Sequence, residues 1–355
     1  MSHARMSSAK ITVGLDLGDR YSQFSMLDAH SGVIEEGRFR TTPTSLRRVF
    51  ADRAPMRIVV EVGTHSPWVS RLLESCGHEV LVANARKVRL IYANDNKNDQ
   101  VDAETLARVG RLDSQLLCPI RHRGVTTQVD LAAIRSRDCL VRARTQLINH
   151  VRGAVKAVGG RLPSSSAPAF PHKVAEHIPA ELGTALSPLL KTIDTVSREI
   201  RAADRRIEQL VAERYPETER MKQVAGVGVI TSACYVLTLE DPTRFDNSRA
   251  VGAYLGLRPR RRDSGGSSPQ LRITKSGDAM LRRFLVNSAH YILGPFGPDC
   301  DLRRWGLKLA QRGGKNAKKR AVVAVARKLA CMLHSMWINS TDYEPFRSEG
   351  TKTAA

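Results

Sequence analysis

The sequence predicts an α/β layer domain at residues 10–125, two long helices at 126–218 and a mainly α-helical region at 219–340. Three observations carry this reading. Up to residue 125, short Val-, Ile- and Leu-rich runs alternate with stretches whose apolar residues recur at helical spacing. Residues 126–157 and 189–215 carry long amphipathic patterns with charges between the apolar positions. From 219 to 340 the chain forms a third compact, apolar-cored region, and 341–355 reads as a disordered tail.

Residues 10–17 form a β-branched strand. Residues 21–28 and 33–40 flank Ser31-Gly32, a turn signal, and read as a hairpin. A short helix follows at 45–51, then a compact apolar strand at 57–62 bearing Glu61. Residues 67–75 have helical spacing and stop at Cys76-Gly77; residues 79–83 are another buried strand. A helix begins at 87–92 and is broken by the polar run 94–98. Residues 99–112 are a further helix, with Val101, Leu106, Val109 and Leu112 near one face. A hairpin ahead of the first helix argues against a purely parallel winding and suits a ribonuclease-H-like layer fold.

A long basic helix spans 126–157 and ends at Gly159-Gly160. Residues 161–188, rich in Pro, Ser and Ala, read as a linker or hinge. The second long helix runs from Leu189 to about Tyr215, before Pro216. Its stripe of Leu190, Ile193, Val196, Ile200, Ile207, Leu210 and Val211 resembles a coiled-coil or helix-hairpin seam and is expected to pair helices between subunits.

Lys and Arg number 56 against 35 Asp plus Glu, a formal charge of +21. Such an excess favours polyanions, with DNA or RNA the usual partner. No basic amphipathic anchor and no apolar run of membrane-spanning length is read, and residues 1–10 lack an apolar signal core, so a cytoplasmic, nucleoid-associated protein without membrane partners is expected. Six scattered cysteines form no C-x-x-C pair and read as free thiols.

Four acids stand out. Asp16 ends the first strand in Gly14-Leu15-Asp16-Leu17-Gly18, and Glu61 sits in Val59-Val60-Glu61-Val62-Gly63. Carboxylates amid Val/Leu strands are costly unless paired or bound to a cation. Asp99 and Asp102 are three apart on a helix and share a face. Hard oxygen ligands of this kind suit Mg2+ or Mn2+, ions that also clamp the reacting oxygens of a phosphodiester. Each acid also has an ordinary role: a strand-end turn, an edge charge, a helix cap, a partner for the helix dipole. "GLDLGDRYS" fits the first phosphate loop of actin-like kinases too, but no second glycine-rich phosphate loop follows a strand.

Gly226 and Gly228, ahead of an apolar helix, form a helix-hairpin-helix-like element whose backbone N–H groups can hold a phosphate; a plain packing corner is the alternative. Residues 255–330 hold 18 Lys plus Arg against four Asp. Within them Arg260, Arg261 and Arg262 precede Ser264-Gly265-Gly266, and Arg272, Lys275, Arg282 and Arg283 follow. This bias points to nucleic-acid binding, with Ser264 an exposed hydroxyl on a flexible loop inside a basic field.

These pieces together resemble the DEDD-type transposases of insertion-sequence family one-hundred-and-ten, which include bridge-RNA-guided recombinases and are related to Piv-type DNA invertases. The resemblance is carried by "GLDLG", "VVEVGTHSPW", "NKNDQVDAETLAR", "VAGVGVITSACYVL", "RFDNSRAVGAYLGLRPRRRDSGGSS" and "RITKSGDAMLRRFL", in that order across residues 10–335. It implies a RuvC-like N-terminal domain, a coiled-coil insert and a C-terminal transposase domain. It also implies a composite site in which Asp16, Glu61, Asp99 and Asp102 of one subunit bind Mg2+ or Mn2+ beside a serine from another. Ser264 is the assigned nucleophile, with Ser267 and Ser268 as rivals. The expected partners are donor and target DNA, a structured guide RNA and further copies of the chain, a dimer that becomes a tetramer on DNA. Low aromatic content (5%) and arginines spread over 142–152 and 198–206 favour RNA stems over unpaired bases. The alternatives are a RuvC-like junction nuclease or invertase without guide RNA, and a non-catalytic nucleic-acid-binding protein.

Overall fold

In the computed structural model, residues 11–84, 98–267, 269 and 271–347 are described. The helix expected to begin at 87–92, the break at 94–97, Ser268 and the tail beyond 347 lie outside them. The chain divides into two compact units, residues 1–123 and 124–355. The two long helices and the region that follows them share the second unit.

The first unit opens with β1 (Thr12–Leu17), β2 (Tyr21–Leu27) and β3 (Val33–Arg40), paired antiparallel in sequence. The β2–β3 turn is held by Asp28, whose Oδ1 accepts from the backbone N–H groups of His30 and Gly32 at 2.8 Å. Helix α1 (Pro43–Phe50) is capped by Thr42, with proline in its first turn, where no N–H is missed. Then come β4 (Arg57–Glu61), α2 (Ser66–Ser75), β5 (Glu79–Ala83) and α3 (Asp99–Leu112). The sheet order is β3-β2-β1-β4-β5, with β4 parallel to both β1 and β5. One apolar core gathers Val13, Leu15, Phe24, Phe50, Ile58, Val69 and Leu73, from the sheet and its first two helices. A second, containing Val59, Leu106, Val109 and Leu117, lies under α3. Helices therefore cover both faces of a mixed sheet.

The second unit begins with α4 (Val125–Ala157), short α5 (Phe170–Val174) and α6 (Ala180–Arg214). Two expectations are corrected here. The segment 161–188 is not all linker: α6 starts nine residues before Leu189 and runs through Pro188. An internal proline costs about 3 kcal/mol. The compensation comes from Leu186 and Ile193, buried in a cluster with Ile148, Val151, Val155 and Phe170; full burial of each such side chain contributes roughly 1.5–3 kcal/mol. Of the α6 stripe, expected to pair helices between subunits, Ile193, Ile200, Ile207 and Val211 are covered within the chain while Leu190, Val196 and Leu210 stay half-buried. α4 packs along α6, and Arg137 of α4 pairs with Asp204 of α6 at 2.7 Å.

Short α7 (Thr218–Lys222) leads to α8 (Val229–Leu239), buried from Ser232 to Leu239. Around it pack α9 (Ser248–Tyr254), α10 (Ala279–Leu293), α11 (Asp301–Ala310) and α12 (Ala317–Asn339). Contrary to the sequence reading, α12 has the length and hydropathy of a membrane span. It is the core helix of this unit: Ala321, Val325, Leu329 and Leu333 are buried, and the Ala330 carbonyl accepts from the Tyr235 hydroxyl at 2.6 Å. Residues 341–347, expected within a disordered tail, dock on the unit. Pro345 O accepts from Asp301 N, and Gln223 Oε1 from Tyr343 N, both at 2.8 Å.

Candidate active site

β1 and β4 are parallel neighbours in a register that pairs Leu15 with Val60. Asp16 and Glu61, the next residues, therefore end the two strands side by side. Residues 14 and 16 share a face of β1, opposite Val13 and Leu15. That face is covered by α3, and Gly14 sets the distance. A Cβ at Gly14 would overlap the Ala103 carbonyl oxygen and stand 2.5 Å from Ala107 N. Helix and strand run antiparallel, since Arg111 near the helix end reaches Thr12 Oγ1 at 3.4 Å. The first turn of α3, with Asp99 and Asp102, is thereby carried to the C-terminal end of β1. Gly110, against Val59, makes the second close approach.

The capping role considered for Asp99 belongs to Asn98, whose Oδ1 accepts from Gln100 N at 3.1 Å. Asp99 and Asp102 both lie in the first turn, where the helix dipole favours negative charge.

Asp16 registers the arrangement. Its carboxyl is pushed up to about 6 by partial burial, then by the charges of Asp99, Asp102 and Glu61, against a lowering hydrogen bond from Leu17 N–H. Among the described residues no three His, Cys, Asp or Glu side chains stand close enough together to hold a metal ion by themselves. Mg2+ does not require one: it keeps several waters and takes one or two carboxylates plus substrate phosphate. The charges of three other acids, Asp99, Asp102 and Glu61, act on the half-buried Asp16 carboxyl, a repulsion that a divalent cation with retained waters would relieve.

The rim of this edge is fixed by contacts that sequence reading missed. Thr41 Oγ1 donates to Gly18 O at 2.9 Å and shares a 2.8 Å hydrogen bond with Ser22 Oγ, locking the β1–β2 turn. Past Glu61, Ser66 Oγ donates to Gly63 O and accepts from Gly63 N, with His122 Nε2 at 2.8 Å. A short polar residue just after a strand-end Gly was the available signal.

In metal-free protein the charge cluster has a stability cost. Asp16 binds its proton more tightly folded than unfolded, so stability falls as pH rises from about 4 to about 6 and stays low above. The cost is below about 3 kcal/mol, because solvent reaches part of the carboxyl. Asp16→Asn is expected to melt above wild type at pH 7 in chelator and level with it at pH 4. Added Mg2+ should raise the melting temperature of wild type only. A lower melting point for Asp16→Asn at pH 7 would refute the charge frustration.

The remaining candidates lie in the second unit. Gly226 has φ of 83° and Gly228 precedes α8, so the turn exists as a tight corner between α7 and α8. Ser264 is not on an irregular loop. Ser264 N donates to Ser267 O at 3.2 Å and Ser267 N to Ser264 O at 3.1 Å, a two-residue hairpin turn with Gly265 at φ 55°. Arg260, Arg261, Arg262, Arg272 and Lys275 are exposed around it. Arg282 and Arg283 are engaged internally: Arg282 Nη1 donates to Leu255 O and Ser276 O, and Arg283 pairs with Asp138 at 2.6 Å.

Comparison with known proteins agrees with this layout. A family model described as a transposase, of the DEDD type found in IS110 elements, matches residues 13–159, and the model of the IS116/IS110/IS902 transposase family matches residues 218–298. The transposase of insertion sequence element IS1111A from Coxiella burnetii is 30% identical over 267 residues, 72% of this chain and 70% of that protein. The chain belongs to the IS110 family of transposases. A probable family 20 transposase from Pseudomonas aeruginosa is 27% identical over 94% of this transposase and 98% of its own length. The IS1328 transposase of Yersinia enterocolitica is 28% identical over 78% and 82%. DNA is therefore the substrate, and the enzyme moves an insertion sequence.

Proposed function

We propose that this transposase is a site-directed recombinase with a RuvC-like catalytic domain, in which Asp16, Glu61, Asp99 and Asp102 hold Mg2+ or Mn2+ and Ser264 is the nucleophile. The observation that carries the reading is the meeting of three other acids' charges on Asp16 at the strand edge. A divalent cation held by these acids would supply Lewis-acid polarisation of the scissile phosphate and would acidify a nearby hydroxyl. Ser264 Oγ forms a bond to phosphorus, its proton passing to solvent. The P–O3′ bond breaks, the 3′ oxygen takes up a proton, and a 5′-phosphoserine link remains. A 3′-hydroxyl from another strand then reverses the step, releasing the serine and joining exchanged strands.

A structured RNA guides the choice of site. Its stems lie along the solvent side of α6, where Arg201, Arg205 and Arg206 are exposed. By contrast Arg142 and Arg198 pair with Asp138 and Asp194. The working assembly is a dimer that becomes a tetramer on DNA, since the serine and the acids act from different subunits, and it works on the nucleoid.

The test is covalent capture. Incubated with labelled DNA and Mg2+, and with the RNA that copurifies, wild type is expected to give a protein–DNA adduct resistant to denaturant. Ser264→Ala and chelator should each abolish it. Cleavage without an adduct would make the enzyme a junction nuclease in which water attacks. An adduct that persists in Ser264→Ala but vanishes in Ser267→Ala would move the nucleophile.

A further inference from the structure

Residues 257–260 and 272–275 form a short two-stranded antiparallel ribbon with two unlike faces. Pro259 and Ile273 are bridged partners; Arg260 N donates to Arg272 O and Thr274 N to Arg258 O, both at 2.9 Å. Alternation then sets Arg258, Arg260, Arg272 and Thr274 on one face and Pro259 and Ile273 on the other. Ile273 packs against the apolar core of the unit, so the arginine face is turned to solvent. Arg258, Arg260 and Arg272 are exposed and, among the described residues, none pairs with a carboxylate. Arg261, one residue beyond Arg260, follows the last paired position of the strand.

The base of the ribbon is rigid. Arg282 ties Leu255 O, just before it, to Ser276 O, just after it, at 2.9 and 2.7 Å. Gly256, at φ 69°, and Gly277, at φ 72°, bring the two ends into backbone contact: a Cβ at Gly256 would overlap Ser276 and one at Gly277 the Tyr254 carbonyl. A charged face on a braced ribbon is preorganised, so little ordering cost is paid on binding.

We infer that this ribbon seats in the major groove of B-form DNA, with Arg258, Arg260 and Arg272 as its phosphate contacts and Arg282 as the residue that positions it. The major groove of B-DNA, about 12 Å wide, admits a two-stranded β-ribbon. The major groove of A-form RNA is deep and too narrow for side chains to read. The ribbon is thus a DNA element, separate from the RNA surface on α6, and Ser264 follows Arg260 by four residues. This rests on the reading of the chain as a DNA recombinase but not on which serine attacks.

The test is binding without cleavage, in chelator, of full-length protein to a DNA duplex and to an RNA duplex of the same sequence. Affinities are followed from about 50 to 200 mM salt, where each lost phosphate contact lowers the log–log slope by about 0.9. Arg258→Gln, Arg260→Gln and Arg272→Gln are each expected to lower the DNA slope by about one, and the triple variant by about three. The triple variant should bind duplex RNA like wild type. An unchanged DNA slope in the triple variant would overturn the ribbon while leaving the recombinase reading intact. An equal loss on RNA would reduce the face to general positive charge and also overturn it. Failure of wild type to bind DNA at all would overturn both readings.

Discussion

Asp16→Ala, Glu61→Ala and Asp102→Ala are each expected to slow DNA strand cleavage by at least about 10³-fold, since a bound cation contributes several kcal/mol to a charged transition state and each 1.4 kcal/mol is tenfold. Binding to nucleic acid should change little, or tighten slightly. Affinity comes from lysine and arginine contacts to phosphate, and removing an acid from the strand edge removes repulsion. The three positions differ in place but not in consequence. Asp16 and Glu61 end neighbouring parallel strands, and Asp102 arrives on α3. The measurement is single-turnover cleavage of a labelled DNA substrate, with binding followed separately. Excess chelator should reproduce the variants, and Mn2+ should restore the wild type alone. Full cleavage in chelator would remove the metal from the mechanism.

Gly14→Ala is expected to be nearly as damaging, although residue 14 bears no functional group. Exchanging a strand glycine for alanine ordinarily stabilises by about 0.5–1 kcal/mol, through the entropy of the unfolded chain. Here the added methyl meets the Ala103 carbonyl and the Ala107 amide, which are helix backbone and cannot rotate away. Overpacking against yielding side chains costs about 1–3 kcal/mol, so a clash with a rigid helix should exceed about 3 kcal/mol and outweigh the entropic gain. To relieve it α3 must lift from β1, and Asp99 and Asp102 move with it. Thermal unfolding should show a lower, broader transition for the first unit, and any folded fraction should bind Mn2+ more weakly than wild type. A Gly14→Ala protein with wild-type melting and cleavage would show that α3 does not rest on β1 at this point.

The short apolar runs of β1, β4 and β5 and the helical spacing of α3 were legible from the sequence alone, because both reflect local residue choice. The spacing of Asp99 and Asp102, the strand-end places of Asp16 and Glu61, and the basic character of residues 255–330 could be read the same way. What covers each stripe was not local. The α6 stripe read as a coiled-coil or helix-hairpin seam, and α4 of the same chain covers much of it, a gain that carries the helix through Pro188. The basic stretch looked uniform, yet the ribbon register turns Arg258, Arg260 and Arg272 outward, while Arg282 and Arg283 are spent on Leu255 O, Ser276 O and Asp138.

The strand edge that carries the acids shows the same division. Its acids were visible one by one, but their convergence depends on Gly14, Ala103, Ala107 and Gly110, small residues at strand and helix spacing that let α3 approach the sheet. Residue type and period set which elements form and which residues share a face. Only tertiary packing decides which faces meet and how closely, since that depends on every other apolar surface competing for the same cover, and here closeness is what brings the charges of Asp99, Asp102 and Glu61 to bear on Asp16.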